Sequence, residues 1–166
     1  MPSSLDGFGP SVRRVQDALA AAGGGHTVVA LDQPARTSAE AARAVGCRVD
    51  QIAKSLVFRG AESQRAVLVI ASGANRVDER KVAGLIAEPV GRADADFVRA
   101  RTGFAIGGVA PIGLPAPIPM VLDVSLKRFP AVYAAAGHPH CVFATSVEEL
   151  KRLTGCLVSY AIAEKI

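Results

Sequence analysis

The 166-residue chain contains no tryptophan, only two tyrosines and six phenylalanines. A core short of rings has to be filled by Val, Leu, Ile and Ala, and half of the residues are hydrophobic, enough for that purpose without disulfides or metals. Cysteine is scarce too. Cys47, Cys141 and Cys156 are odd in number and far apart, which excludes a CxxC redox motif, close metal-ligand spacing and a disulfide framework. They read as reduced, partly buried thiols of a cytosolic protein. Long apolar runs are missing; Ala66 to Ala71 is far too short to cross a bilayer. Met1 to Pro10 has neither a basic start nor an apolar h-region, so no signal peptide is expected. Repeats, low-complexity segments and linkers are also absent. These absences predict one soluble, cytoplasmic domain over residues 1–166.

Charge is a weaker guide. The net charge of +4 is spread along the chain, from Arg13 and Arg14 to Lys151 and Arg152. Such an excess tolerates a polyanionic partner without requiring one.

What is present alternates between two periods. Ser11 to Ala22 spaces Val12, Val15 and Leu19 for one helix face, and Gly23 to Gly25 stop it. Thr37-Ser38-Ala39-Glu40 is a capping box for a helix to about Val45, ended by Gly46. Asp78 caps a helix to about Ile86, and Asp94 or Asp96 begins another that stops at Gly103. A second capping box, Ser146 to Glu149, opens a helix to about Leu153. Strands are expected at Thr27 to Leu31, Gln51 to Arg59, Arg65 to Ala71, Pro119 to Leu122, Ala131 to Ala135, Cys141 to Ala144 and Cys156 to Ile162. Both element types in one short chain predict a mixed sheet with helices packed on it.

Two segments break the ordinary pattern. Lys54 shares a strand face with Ile52, Leu56 and Phe58. A lysine there either snorkels to solvent or projects its amine into a cleft, toward a phosphate or a carbonyl oxygen. Ser55 points to the opposite face. The second segment, Gly107-Gly108-Val109-Ala110-Pro111-Ile112-Gly113-Leu114-Pro115, is unsuited to helix or central strand. Its apolar Val109, Ile112 and Leu114 should pin it to the core. It is either a structural crossing or a stiff loop whose bare N–H groups hold a carbonyl or a developing oxyanion. There is no GxSxG elbow and no metal-ligand cluster. His138-Pro139-His140 lacks an evident third ligand. His26 reads as a loop residue, and Asp123 as a turn residue after a strand.

Together, Ile52-Ala53-Lys54-Ser55-Leu56-Val57-Phe58 and the Gly107 to Pro115 loop resemble the YbaK/EbsC family, related to the editing domain inserted in bacterial prolyl-tRNA synthetase. The likeness runs from about Ser11 to Ile162 and takes in the Thr37 to Gly46 helix, Arg76-Val77-Asp78, and Val132 to Gly137. It implies an α+β fold with a mixed, partly barrel-like sheet flanked by helices. It also implies a pocket for the aminoacylated 3′ end of tRNA. Members hydrolyse the ester of mischarged tRNA, often tRNA for proline, with no metal, cofactor or protein nucleophile; a ribose hydroxyl of the substrate helps. On this resemblance Lys54, Gly107 and Gly108 are the catalytic candidates. Ser55, Val109, Ala110, Pro111, His138 and Arg76 are the substrate-binding ones. The implied partners are aminoacyl-tRNA and an aminoacyl-tRNA synthetase. Cysteine-removing members usually have Thr after the lysine and alanine-removing members Asn; Ser55 matches neither, which leaves the amino acid open. Two other readings stand beside this one: a non-catalytic tRNA- or nucleotide-binding module using the same pocket, and a metal hydrolase built on His138 and His140.

Overall fold

The computed structural model describes residues 5–159 and 163–165. A 3-10 turn at Leu5–Phe8 leads into α1 (Pro10–Ala22). Pro10 sits in the first turn, where its missing N–H costs nothing. Val12, Val15 and Leu19 form the buried stripe of this helix, as their spacing predicts. β1 (Val28–Ala30) follows, then α2 (Ser38–Val45), β2 (Ile52–Gly60), β3 (Ala66–Ser72) and β4 (Asn75–Val77). The second half carries α3 (Glu79–Ile86), β5 (Val90–Arg92), α4 (Ala95–Thr102) and β6 (Met120–Asp123). A 3-10 turn at Val124–Arg128 precedes β7 (Val132–Ala135), β8 (Cys141–Thr145), α5 (Val147–Thr154), β9 (Leu157–Ser159) and β10 (Ala163–Lys165).

The main sheet is mixed, in the order β1-β8-β7-β2-β3-β6-β9, with β5 added to β2. β2–β7, β3–β6 and β6–β9 are parallel; the remaining pairs are antiparallel. A small second sheet joins β4 and β10. All seven residues of β3 are buried, which is why Ala66-Val67-Leu68-Val69-Ile70-Ala71 reads as an unbroken apolar run rather than an alternation. Leu68 and Ile70 face the main core under α1, with Phe104, Leu122 and Phe143. Val67, Val69 and Ala71 face a second cluster with Phe58 and Val82 of α3. Helices therefore cover both sides of the sheet, the α/β layering expected.

The caps do what their spacing predicts. The Thr37 hydroxyl accepts from Glu40 N–H (3.1 Å), the Asp94 carboxylate from Phe97 N–H (2.8 Å), and the Ser146 hydroxyl from Glu149 N–H (3.2 Å). Asp78 caps α3 through Arg80 N–H at 2.9 Å. Three short strands, β4, β5 and β10, lie outside the sequence expectations. The expected closing strand begins as β9; Tyr160 to Ile162 lie outside the described residues. His26 is not a free loop residue: its side chain is 5% exposed and hydrogen-bonds the Thr145 hydroxyl at 3.0 Å. No helix among the described residues is long and apolar enough to cross a membrane.

Candidate functional site

The site is built on β2. One edge of that strand is paired with β3 without interruption, from Ala53↔Ser72 to Arg59↔Ala66. The other edge is divided between two strands that do not meet. β7 pairs with Ile52 and Ala53, and β5 with Phe58 to Gly60. Ala93 N–H reaches Val57 C=O at 3.4 Å, leaving Lys54, Ser55 and Leu56 with no strand opposite. Each neighbour turns away for a local reason. β7 gives way to a tight turn closed by Ala136 N–H to Cys141 C=O and Cys141 N–H to His138 C=O, both 2.9 Å, through Gly137 at φ +92°. β5 stops because Asp94 caps α4 two residues later.

A cavity of about 350 Å³ opens in this split. Its walls are largely apolar, with Val57, Val98 and Val109 among them, and Arg36, Lys54 and Arg92 also line it. Among its lining residues there is no Asp or Glu. An apolar pocket with a few convergent polar groups is the common form of a small-ligand site, and the cationic rim suits an anionic substrate.

Lys54 is half-buried on the face it shares with Leu56 and Phe58. Its Nζ donates to the Asn75 C=O at 2.6 Å, so the amine is anchored and does not reach free into solvent. Burial, with Arg92 and Arg76 nearby, holds its pKa below the usual lysine range, while Asp123 works the other way. Asn75 is itself clamped. The Asp123 carboxylate, 2% exposed, accepts from Asn75 Nδ2 (2.7 Å), Ser72 N–H (3.1 Å) and Ser125 N–H (2.9 Å). Asp123 is therefore a buried anchor two steps behind Lys54 and more than a turn residue.

Across the cavity lies the glycine loop. Ala105 C=O accepts from Gly108 N–H at 3.0 Å, closing a turn in which Gly107 takes φ +93°. That backbone is strained for any L side chain. Gly107 lines the cavity, whereas the Gly108 N–H is spent on the turn. Gly108 has a packing role: a Cβ there would lie 3.0 Å from both His138 Cα and N. Val109 is buried and lines the cavity. The loop is held to α1 by Arg14, whose Nε donates to Gly113 C=O (2.8 Å) and whose Nη2 donates to Gly103 C=O (3.1 Å).

His138 lines the same cavity. Its ring stacks on His140 with centroids 5.3 Å apart and planes at 19°, and Phe8 contacts both rings. The His138 Nδ1 accepts the His140 backbone N–H at 3.0 Å, so in the neutral ring the proton sits on Nε2. Burial and His140 push its pKa below the ordinary histidine value. Cys141 also lines the cavity, but burial pushes its thiol up to about 11, far from a thiolate at neutral pH.

The structure thus gathers Lys54, Ser55, Gly107, Val109 and His138 around one cavity. Ala110 and Pro111 are buried behind it, and Arg76 is exposed on β4 outside its lining. Arg36, Arg92, Cys141 and the Asn75–Asp123 pair escaped sequence reasoning. Only the strand pairing that brings Arg92 beside Phe58 could have revealed it. Among the described residues no three His, Cys, Asp or Glu side chains are grouped so as to hold a metal ion.

Comparison with known proteins agrees with this architecture. Residues 32–153 match the model of a family described as the aminoacyl-tRNA editing domain. The uncharacterized protein YwhH of Bacillus subtilis (strain 168) is 33% identical over 127 residues, which is 76% of this chain and 80% of that protein. A chain solved in work on epitope grafting onto scaffold proteins superposes with a TM-score of 0.87 at 45% identity, covering 95% of this chain and 99% of that one. A "putative trans-editing enzyme for prolyl tRNA synthetase" superposes with a TM-score of 0.85 at 47% identity, covering 91% and 96%.

Proposed function

This chain belongs to the aminoacyl-tRNA editing domain family, and from that premise we propose that it is a trans-acting deacylase of mischarged, tRNA-Pro-type aminoacyl-tRNA. The observation that carries the reading is the divided edge of β2, where an apolar-walled cavity is lined by Arg36, Lys54 and Arg92 together with Gly107. A terminal aminoacyl-ribose enters with its phosphates toward Arg36 and Arg92. The Gly107 N–H and the Lys54 cation stabilise charge on the ester oxygen. The His138 Nε2–H is a donor in the neutral ring, suited to orienting a ribose hydroxyl or the carbonyl.

No lining side chain is poised as a general base. The cavity has no carboxylate, Cys141 stays protonated, and His138 presents a proton at Nε2. Activation of water therefore falls to the substrate's own ribose hydroxyl. An activated ester needs chiefly positioning and oxyanion stabilisation. Similarity to the "putative trans-editing enzyme for prolyl tRNA synthetase" supports a tRNA-Pro-type substrate and a synthetase partner.

The lack of a protein base also favours a second reading, a binding module that holds aminoacyl-tRNA without turnover. Incubation with a panel of labelled aminoacyl-tRNAs, including Ala, Cys and Ser on several tRNAs, separates the two. The deacylase reading expects release above buffer for at least one member. It also expects Lys54→Ala to slow release by about 10²–10³-fold while tRNA affinity persists. Tight binding with no release from any member would establish the module instead.

A further inference from the structure

Strand β1 stands at one end of the main sheet. Its inner edge pairs with β8, from Val28↔Phe143 to Ala30↔Cys141, and Leu31 N–H reaches His140 C=O at 2.6 Å. That bond fixes the alternation: odd-numbered residues of this strand turn their main chain toward β8. Cys141 agrees, because its N–H and C=O serve His138 and Ala136 and not Ala30. The N–H and C=O groups of Val28 and Ala30 therefore face outward. Among the described residues no strand and no other main-chain group bonds them. Val29, between them, is 52% exposed. A row of bare donors and acceptors is a template for one more strand.

A second cavity, of about 650 Å³, lies against this edge, with His26, Val29, Ala30, Asp32 and Tyr133 in its lining. Val29 is paired with Val142, and Tyr133 with Ala144, so Val29 and Tyr133 share the sheet face over which the cavity opens. Its charge is the reverse of the first cavity's. Among its lining residues there is one carboxylate, Asp32, and no Lys or Arg, whereas Arg36, Lys54 and Arg92 line the first. A phosphate backbone finds no partner here, and a cation does. The His26 side chain is 5% exposed, and its Nδ1 is buried without a hydrogen-bond partner, as at a site still lacking a polar ligand. We infer that β1 and this cavity form a docking site for an extended peptide segment of a partner protein, added antiparallel to β1 with a Lys or Arg opposite Val29. The residues flanking that cation bond the main chain of Val28 and Ala30, and the cation itself enters the cavity beside Asp32, a strand addition with a side-chain pocket. A second copy is a poorer fit, because His26 to Asp32 contains no Lys or Arg to bring to the cavity. This site does not depend on the deacylase reading.

The probe is a fluorescent, end-blocked heptapeptide that alternates Thr and Lys, with Thr at both ends, titrated with the intact chain and followed by anisotropy. The protein's net charge of +4 works against unspecific attraction of this peptide. Saturable binding is expected. It should weaken about tenfold when Glu replaces Lys, and about tenfold when the Thr nitrogens, which face β1 when Lys lies opposite Val29, are methylated. Ala30→Pro removes an N–H that no main-chain acceptor uses, at an edge position where proline is tolerated. It should melt as the parent does and bind about tenfold more weakly, and Asp32→Asn should lose about threefold at low salt. No saturable binding at millimolar peptide, or equal binding of the Lys and Glu peptides, would overturn the inference. So would indifference to Thr methylation, which requires no variant to fold. Concentration-dependent self-association in sedimentation, abolished by Ala30→Pro, would give the edge to a second copy and overturn it as well.

Discussion

Replacing Asp123 tests whether a residue outside the cavity sets the position of Lys54. The Asp123 carboxylate accepts from Ser72 N–H, Asn75 Nδ2 and Ser125 N–H, and the Asn75 carbonyl in turn holds the Lys54 amine at 2.6 Å. Asp123→Ala strands the Ser72 N–H in a buried region and leaves Asn75 Nδ2 only its bond to the Ser125 hydroxyl at 3.1 Å. An unsatisfied buried donor costs about 1–3 kcal/mol; counting the two bonds from Ser72 and Asn75 and leaving out the half-buried Ser125, the loss is about 2–6 kcal/mol. Asp123→Asn is gentler. Its oxygen still serves Ser72 and Asn75 while its NH₂ opposes Ser125 N–H, so about 1–2 kcal/mol is lost. For a chain of this length each kcal/mol lowers Tm by about 2–4 °C. Thermal unfolding should therefore rank parent, Asp123→Asn, Asp123→Ala, with the Asn variant about 2–8 °C below the parent. Deacylation is then measured well below the transition of each variant. Folded Asp123→Asn should lose about tenfold in kcat and little in tRNA affinity, because the amine is displaced and the binding rim is untouched. If Asp123→Asn melts and turns over as the parent does, the chain of contacts from Asp123 to Lys54 carries no weight.

Gly108→Ala places a methyl 3.0 Å from His138 backbone atoms, which cannot give as a side-chain tip can. A stability loss of about 1–3 kcal/mol with reduced deacylation is expected, and parent-like urea unfolding would contradict it. Thr37→Ala removes an α2 cap worth about 1 kcal/mol; equilibrium unfolding checks this against a control substitution at exposed Ala39. Hydrogen bonds from the Ser63 and Glu62 backbones and Arg65 hold the Glu88 carboxyl below its usual range. A depressed acid stabilises the fold above its unfolded pKa, about 4.3, and loses that stabilisation as pH falls through the folded value. The stability gap between parent and Glu88→Gln should thus be wide at pH 7 and narrow near pH 3, and a gap independent of pH would refute it. Cys141, with its thiol raised to about 11, should resist iodoacetamide in the native protein at pH 8 and react on unfolding. Rapid native labelling, read by peptide mass spectrometry, would show the thiol to be accessible and ionised.

The local code of this chain was legible. Caps at Thr37, Asp78, Asp94 and Ser146 lie where their spacing predicts, because a cap is a contact between residues two or three apart. The buried stripe of α1 and the apolar β3 follow from periodicity for the same reason. Lys54 and the glycine loop stood out because each violates the pattern of its surroundings.

What sequence alone could not supply was the pairing of distant segments. β4 and β5 have three residues each, too few to announce a period, and they exist because β2 and β10 lie beside them. The open edge at Ser55 is a gap between β7 and β5, and a gap has no residues of its own to read. Asp123 looked like a turn residue until Ser72 and Asn75 were folded against it. Sequence determined which segments are helix or strand and which residues are chemically out of place, since those depend on near neighbours. Tertiary structure alone decided which of them share a cavity, because that depends on strand register across dozens of residues, which local energetics does not encode.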